Sequence, residues 1–430
     1  MKLKPYPKYK ESGVQWIGEV PEGWEVQRSK YQFKIIGGYA FSSDDFVDAG
    51  VPIIRIGDIS GGTISLDDCK RMPKEYALTK KNFLIEEKDV LIAMTGATIG
   101  KIGQVTKTSE KMLLNQRVGK IKTKLSSDYY KYVLNADFIQ SQIKLIAEGS
   151  AQENISNEQI ESFVIPNLDK QNQDFITHFL DLKTSEISKT IEADKKLIEL
   201  LKEKRTALIN HVVTKGLNPK AKMKDSGIEW IGEVPEGWEV KKIKYFTVEK
   251  RNKATELDES GHFVGLENIE PMSGKVFSYN STENMEGESL KFKKNQVLFC
   301  KLRPYLAKVV VADIDGFCTS ELIIYECDKK TNPTYLRYRL LSNGYIDYVN
   351  SLTEGVKMPR ADPVLLSNIK LPLPPLSEQL QISSYLDKST SKIDQTIQKI
   401  EEKIEFLEEY KKSLIHHVVT GKVDVRDAVA

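Results

Sequence analysis

The tetrapeptide Asn332-Pro333-Thr334-Tyr335 is the nearest approach to a catalytic signature in this chain. An adenine methyltransferase needs Asn-Pro-Pro-aromatic to grip a flipped base, with a glycine-rich cofactor loop upstream. Here the third residue is threonine and no such loop precedes it. The segment reads instead as a helix start, with Pro333 in the first turn. GATIGKI (96–102) invites comparison with a nucleotide-binding loop, which requires four residues between its glycines and Ser or Thr after the lysine. Three residues separate Gly96 from Gly100, and Ile102 follows Lys101, so the match fails. The five histidines, His178, His211, His262, His416 and His417, lack metal-ligand spacing. Three sit near helix ends, where a dipole or capping role is ordinary. Cys69, Cys300, Cys318 and Cys327 form no CxxC pair; they read as reduced, mostly buried thiols of a cytoplasmic protein. No disulfide framework or metal site is indicated.

What remains is chemistry suited to nucleic acid. Base edges are read by Arg, Lys, Asn and Gln, and phosphates are held by Lys, Arg, hydroxyls and backbone amides. In the N-terminal half the candidates are Lys34, Tyr39, Arg55, Thr95, Thr98, Lys101, Asn115, Gln116, Arg117, Gln152 and Asn154. In the C-terminal half they are Lys250, Arg251, Asn252, Lys301, Arg303, Tyr305, Lys308, Lys357 and Arg360. They fall in turns or at predicted strand ends, where loops present side chains. Each is equally at home as a solvated surface group. Arg303 and Arg360 stand out because Gly or Pro neighbours place them on tight loops.

The bulk numbers leave this open. The chain has 430 residues, 40% hydrophobic, 29% charged, with a formal net charge of only +2. That is ample for two domains, and any DNA-facing charge must be local, with acidic surface elsewhere. The N-terminus MKLKPYPKYK is basic without an apolar core, so it is not a secretory signal. No run approaches the roughly 18 apolar residues of a membrane span.

The elements that must position these side chains are written twice. Residues 12–26 read SGVQWIGEVPEGWEV and residues 226–240 read SGIEWIGEVPEGWEV, 214 positions apart. RTALINHVVT (205–214) returns as KKSLIHHVVT (411–420), 206 positions apart, and the same offset aligns Asp181 with Asp387. The unit is roughly 210 residues, with the first copy's interior eight residues longer. Each copy opens with a mixed region, 12–165 or 226–372. Short apolar runs such as DVLIAM (89–94), NQVLFC (295–300) and ELIIYEC (321–327) predict strands bounded by turns. The stretches 127–147 and 333–352 predict helices, giving an α+β pattern.

Each copy closes with a long helix. In the second, Leu386, Ile393, Ile400, Leu407 and Leu414 recur every seven residues, joined by Ile397, Ile404 and Val418. Ser377 is the expected N-cap and Gly421 the C-terminal cap. In the first, Leu180, Ile187, Leu201 and Leu208 repeat the seam with Ile191, Ile198 and Val212, interrupted by Asp194 and Arg205; Asp169 is the expected cap. A sustained heptad predicts a coiled coil, the alternative being a helix buried against its own domain. Some 43 residues would span about 65 Å. Off the seam, Leu197, Leu200, Phe406 and Ile415 either pack on the chain's own domains or meet a partner.

A repeat with helical spacers invites an antiparallel helix pair and a pseudo-two-fold arrangement. Duplex DNA has local two-fold axes, which dimeric DNA readers use to place two readers about one turn, roughly 34 Å, apart. The frame segments stay alike while the interiors have diverged. VLIAMTGATIGKIG (90–103) and VLFCKLRPYLAKVV (297–310) align at the strand and at Lys101 and Lys308, but the loop between does not. Constant frame with variable interior is what two readers of different half-sites require; ordinary divergence after duplication is the other explanation.

The chain resembles, over essentially its whole length, the DNA specificity subunits of type I restriction-modification systems. The resemblance is carried by WIGEVPEGWEV (16–26 and 230–240), MTGATIGKIG (94–103), LNQRVGKI (114–121), CKLRPYL (300–306) and LPLPPLSEQ (371–379). It implies target recognition domains at 1–165 and 218–372, a central coiled-coil helix at 166–217 and a C-terminal one at 373–430. Each domain would read half of a bipartite, asymmetric double-stranded site. The helices would fix the gap and dock two methyltransferase subunits that use S-adenosylmethionine to methylate adenine. Motor-endonuclease subunits, using ATP and Mg, would cut unmodified DNA. This chain itself would bind no cofactor, catalyse nothing, and contact no membrane. One departure is the lead-in IPNLDKQNQ (165–173), which lacks the PPLSEQ form of the second helix. Two other classes stay in view: a self-contained methyltransferase or nuclease, which would turn over without a partner, and a coiled-coil scaffold without DNA binding.

Overall fold

The computed structural model describes residues 4–106, 110–148, 153–253, 261–281, 288–353, 355 and 357–428. The chain divides into two compact units. The first holds Met1–Asp194 with Glu402–Ala430, and the second Lys195–Glu401.

Each unit is built on the same two sheets. In the first unit the strands run Phe33–Gly37, Val118–Thr123, Val90–Ala93, Ile102–Gln104, extended by Thr63–Ile64 and Ile59–Ser60. In the second they run Thr247–Lys250, Leu322–Cys327, Val297–Cys300, Val309–Val311. The central strands Val90–Ala93 and Val297–Cys300 are apolar at every position and wholly buried, as strands covered on both faces must be. The other sheet also repeats its order. Met112–Leu114 lies between Val51–Ile54, parallel to it, and Leu84–Ile85. Gly316–Thr319 lies between His262–Val264, again parallel, and Ser289–Phe292.

The helical stretches 127–147 and 333–352 are each broken once. Ala136 and Ser342 adopt extended backbone between Ser127–Asn135 and Asp137–Glu148, and between Pro333–Leu341 and Asn343–Ser351. The break lets both short helices turn aromatic and aliphatic faces inward: Tyr129, Tyr335 and Tyr345 are fully buried. Asn332 caps the second pair by accepting from the Tyr335 amide, with Pro333 at the first helical position.

The long helices are Lys170–Lys215 and Leu376–Val419. Asp169 caps the first, its carboxylate accepting from the Asn172 amide at 2.8 Å. The expected cap Ser377 is not the cap of the second, which starts one residue earlier at Leu376. Pro374 and Pro375 set that start, because proline needs no amide partner at a helix entrance. Gly421, at φ 72°, closes this helix: its amide donates to Val418 and that of Lys422 to His417, the Schellman pattern.

The repeated WIGEVPEGWEV is explained by these glycine caps. In the first unit a Cβ on Gly421 would lie 2.5 Å from the Pro21 ring and 2.8 Å from Trp24. In the second, Gly216 at φ 75° lies against Trp238 and Pro235, and the Trp238 indole donates to Glu378 at 3.0 Å. Each motif is thus a buried Trp–Pro seat for a helix end. A second latch also repeats. Tyr132 donates to Asp181 at 2.5 Å beside Thr184, and Tyr338 donates to Asp387 at 2.7 Å beside Thr390.

Within each unit the helix segments run antiparallel. In the first, Lys411 donates to Ser188 while Lys403 pairs with Asp194 at 2.8 Å; in the second, Arg205 pairs with Asp394 at 2.9 Å. The two residues that interrupt the heptad are therefore buried partners of charges on the facing helix. Of the off-seam apolar residues, Ile415 is buried in its own unit, whereas Leu197, Leu200 and Phe406 are exposed. Arg205 also donates to the carbonyls of Met272 and Ser273, both at 2.9 Å, clamping that loop to the helix. Arg205→Ala leaves these acceptors unfilled, and we expect a loss of about 3 kcal/mol in chemical denaturation; a change within 0.5 kcal/mol, roughly the surface-substitution range, would contradict the clamp.

Candidate nucleic-acid interface

Five segments of the first unit meet at one edge of its sheets. The turn Asn115–Arg117 enters the strand Val118–Thr123, and its Arg117 carbonyl accepts from the Met94 amide. Met94 begins the loop 94–101, whose Thr95 bridges to Asn154, and the Ile155 amide returns to the Met94 carbonyl. Asn115 bridges to Tyr39, the Gln116 amide donates to Tyr39, and the Asn115 amide donates to Ile54, beside Arg55. Tyr39, Arg55, Thr95, Asn115, Gln116, Arg117 and Asn154 are thereby brought together, with Thr98 and Lys101 on the same loop. Lys101, Gln116, Arg117 and Asn154 are exposed. The hydroxyl oxygens of Thr95 and Thr98 and the Arg55 Nε have no hydrogen-bond partner among the described residues. Arg55 sits near Asp58, at 3.7 Å. Lys80 lies 4.0 Å over the Tyr39 ring.

The second unit repeats this wiring. The Glu321 carbonyl accepts from the Lys301 amide, the Ala361 amide returns to Lys301, and Leu302 bridges to Arg360. The Arg303 amide donates to Pro359 just as that of Gly96 donates to Glu153. The loops 94–101 and 301–308, whose sequences do not align, therefore follow one path. Gly96 and Gly100 have φ of 69° and 80°; Arg303 and Ala307, at the same places, have 50° and 45°. Left-handed backbone without glycine costs about 1–2 kcal/mol per residue, a strain that marks this loop. The equal spacing of the strand starts Val90 and Val297 and of Lys101 and Lys308 was the sequence signal for the match.

Arg303, Tyr305, Arg360 and Lys301 share this edge. Arg360 pairs with Glu321 at 2.6 Å, and Lys301 donates to the Ser320 carbonyl. Lys357 is exposed close by in sequence. Lys308 is turned inward onto the Leu266 carbonyl. Lys250 ends the outer strand and Arg251 follows it, paired with Glu326 and Glu249 respectively; donation to the Glu249 carboxylate holds the Arg251 guanidinium above its usual range. The Asn252 carbonyl accepts from Lys291. Lys34 is placed apart, well down its strand from the loops and paired with Glu161 at 3.0 Å. Gln152 lies outside the described residues.

Glu321 is the residue that reading for Arg, Lys, Asn and Gln missed. Alignment of the central strands would have found it: Ala93 pairs with Val118 and Cys300 with Leu322, so Arg117 and Glu321 occupy one position. The cysteines lie in a different chemistry. Burial pushes the Cys300 thiol up to about 11 and Cys318 to about 12, leaving them protonated and inert at neutral pH. Cys69 and Cys327 are only partly buried. Among the described residues no group of His, Cys, Asp and Glu could hold a metal ion. No described helix is long and apolar enough to cross a membrane.

The comparisons with known proteins agree with this two-fold construction. A family model for the type I restriction modification DNA specificity domain matches residues 21–202 and again 235–405. The type I restriction enzyme MjaVIII specificity subunit of Methanocaldococcus jannaschii is 26% identical over 431 residues, covering 95% of each chain. The EcoAI specificity subunit of Escherichia coli is 26% identical over 223 residues, 50% of this chain and 37% of that one. Among solved structures, a chain of a type I R-M system superposes with a TM-score of 0.71 at 14% identity, over 93% of this chain and 98% of that one. The HsdS subunit from Thermoanaerobacter tengcongensis gives 0.55 at 14%, over 94% and 98%. At such identity these likenesses show the fold, and the family rests on the twice-matched model: the chain belongs to the type I restriction modification DNA specificity family and carries two copies of its domain.

Proposed function

We propose that the chain is the non-catalytic DNA-recognition subunit of a type I restriction-modification complex. Each unit reads one half of a bipartite, asymmetric duplex site. The observation that carries this reading is the repeated edge: the same main-chain wiring presents Arg55, Asn115, Gln116, Arg117 and Asn154 in one unit, and Lys301, Arg303, Tyr305, Glu321 and Arg360 in the other. A shared scaffold with exchanged polar side chains is what reading two different sequences through groove edges requires.

The long helices set the distance between half-sites and dock two methyltransferase subunits. Leu200 and Phe406, equivalent in the repeat and more than half exposed at 52% and 66%, support a partner surface on each helix. The partners supply S-adenosylmethionine for adenine methylation and, with motor-endonuclease subunits, ATP and Mg for cleavage of unmodified DNA. The complex works in the cytoplasm. Co-expression with the cognate methyltransferase, followed by genome-wide mapping of methylated adenines, tests the reading. Methylation confined to one two-part motif is expected. Scattered methylation, or the same motif without this chain, would overturn it.

A further inference from the structure

In each reading edge one position enters the central ladder from the turn that precedes it. In the first unit it is Arg117 and in the second Glu321, and both use their carbonyl for the same bond, from Met94 and from Lys301. The neighbouring segment is also matched, with Asn154 facing Thr95 where Arg360 faces Leu302. The two units thus carry opposite charge at one structural position.

Only one oxygen of the Glu321 carboxylate is engaged among the described residues. Its Oε1 accepts from Arg360 at 2.6 Å. Its Oε2 has no hydrogen-bond partner among the described residues, although the side chain is only 21% exposed. A carboxylate oxygen held out of water without a donor costs free energy, a cost that a donor reaching it on DNA binding would remove. On base edges in the major groove the donors are the N4 amino of cytosine and the N6 amino of adenine. Adenine sets its N7 lone pair beside N6, which repels a carboxylate; cytosine sets only a C–H there. Across the same base pair, guanine offers O6 and N7 as acceptors, and Arg360 stands beside Glu321 with a guanidinium to fill them.

We propose that the position held by Arg117 and Glu321 selects a base in each half-site, and that Glu321 with Arg360 reads one C·G pair. Arg117, a donor at the same place, reads guanine in the other half. This rests on the DNA-recognition reading above and names what two of its contacts recognise.

The test uses the full chain assembled with its methyltransferase subunits, presented with a randomised duplex library and sequenced after capture. The unaltered complex returns a two-part motif; if it returns none, the DNA-recognition reading fails and this inference with it. With the motif in hand, Glu321→Gln is expected to lose the preference for one C·G pair by about tenfold or more, with adenine gaining, because Gln pairs with the N6 and N7 of adenine. The other half is unchanged, which also reports that the complex is intact. Arg360→Gln relaxes the same pair, and Arg117→Ala relaxes a guanine in the opposite half. If Glu321→Gln does not assemble, Arg360→Gln, which alters an exposed side chain, decides. An unchanged motif in these variants, loss at an A·T pair, or relaxation in both halves at once would overturn the inference while leaving DNA recognition standing.

Discussion

Replacing residues 27–165 with the corresponding stretch of another family member changes one half of the recognised site and leaves the other half as it was. The cut points make this a clean exchange. Gln27 and Ile165 are cross-strand partners in the small ladder of Glu25–Arg28 with Val164–Asn167, so both joints fall in one piece of frame. Everything that presents the first edge lies between them: Tyr39, Arg55, the loop 94–101, Arg117 and Asn154. The Trp24 seat for the helix end stays behind. The incoming stretch must keep a tyrosine where Tyr132 meets Asp181, or the latch to the helix is lost. Mapping methylated adenines in cells that carry the chimera reads the result. A change in both halves would sink the model of two independent readers.

Inserting one heptad into each long helix, at matched places along the antiparallel pair, lengthens the gap between half-sites. Seven helical residues add about 10 Å, close to three base pairs at about 3.4 Å each. A heptad keeps the apolar seam on its face, drifting only about 20°, so Ile187, Ile191, Ile393 and Ile404 stay buried. Three base pairs, however, turn the duplex by roughly a third of its 10–10.5 base-pair repeat. The DNA must untwist or the readers must lean, so sites with the longer gap are methylated less efficiently. The measurement is the spacer of the methylated motif. An unchanged spacer would show that the helices are not the ruler.

The frame was largely legible in the sequence, because it is made of periodic or rigid pieces. Heptads, a repeated Trp–Pro–Gly–Trp segment, and apolar strands such as Val90–Ala93 each have a pattern that survives without coordinates. Asp169 was readable as a cap for the same reason. Ser377 was misplaced as a cap because a diproline can open a helix without a side-chain acceptor. The one-residue break at Ala136 has no glycine or proline beside it, whereas the break at Ser342 is followed by Asn343-Gly344, a turn signal passed over within an otherwise helical run. The reading edges were harder. Their residues come together through main-chain bonds among segments far apart in sequence, as Arg117 to Met94 and Ile155 to Met94 do. Such bonds carry no side-chain signature, so the residue types alone do not separate Lys34, which pairs with Glu161, or Lys308, which turns onto the Leu266 carbonyl, from residues that sit at the edge. Glu321 escaped because its role depends on the position it shares with Arg117 rather than on its own type.

Those same main-chain bonds bear on how new target sequences arise. The ties that shape each edge, from Met94 or Lys301 to the turn and from Ile155 or Ala361 back, use only amides and carbonyls. They are indifferent to which side chain each residue bears, so the lettering of a reader can change while its ladder stays intact. A substitution confined to such an edge side chain leaves those main-chain ties in place. The loop at Arg303 and Ala307 keeps the same ties as the loop at Gly96 and Gly100 while holding left-handed backbone without glycine: the ladder, not the side chains, dictates the path.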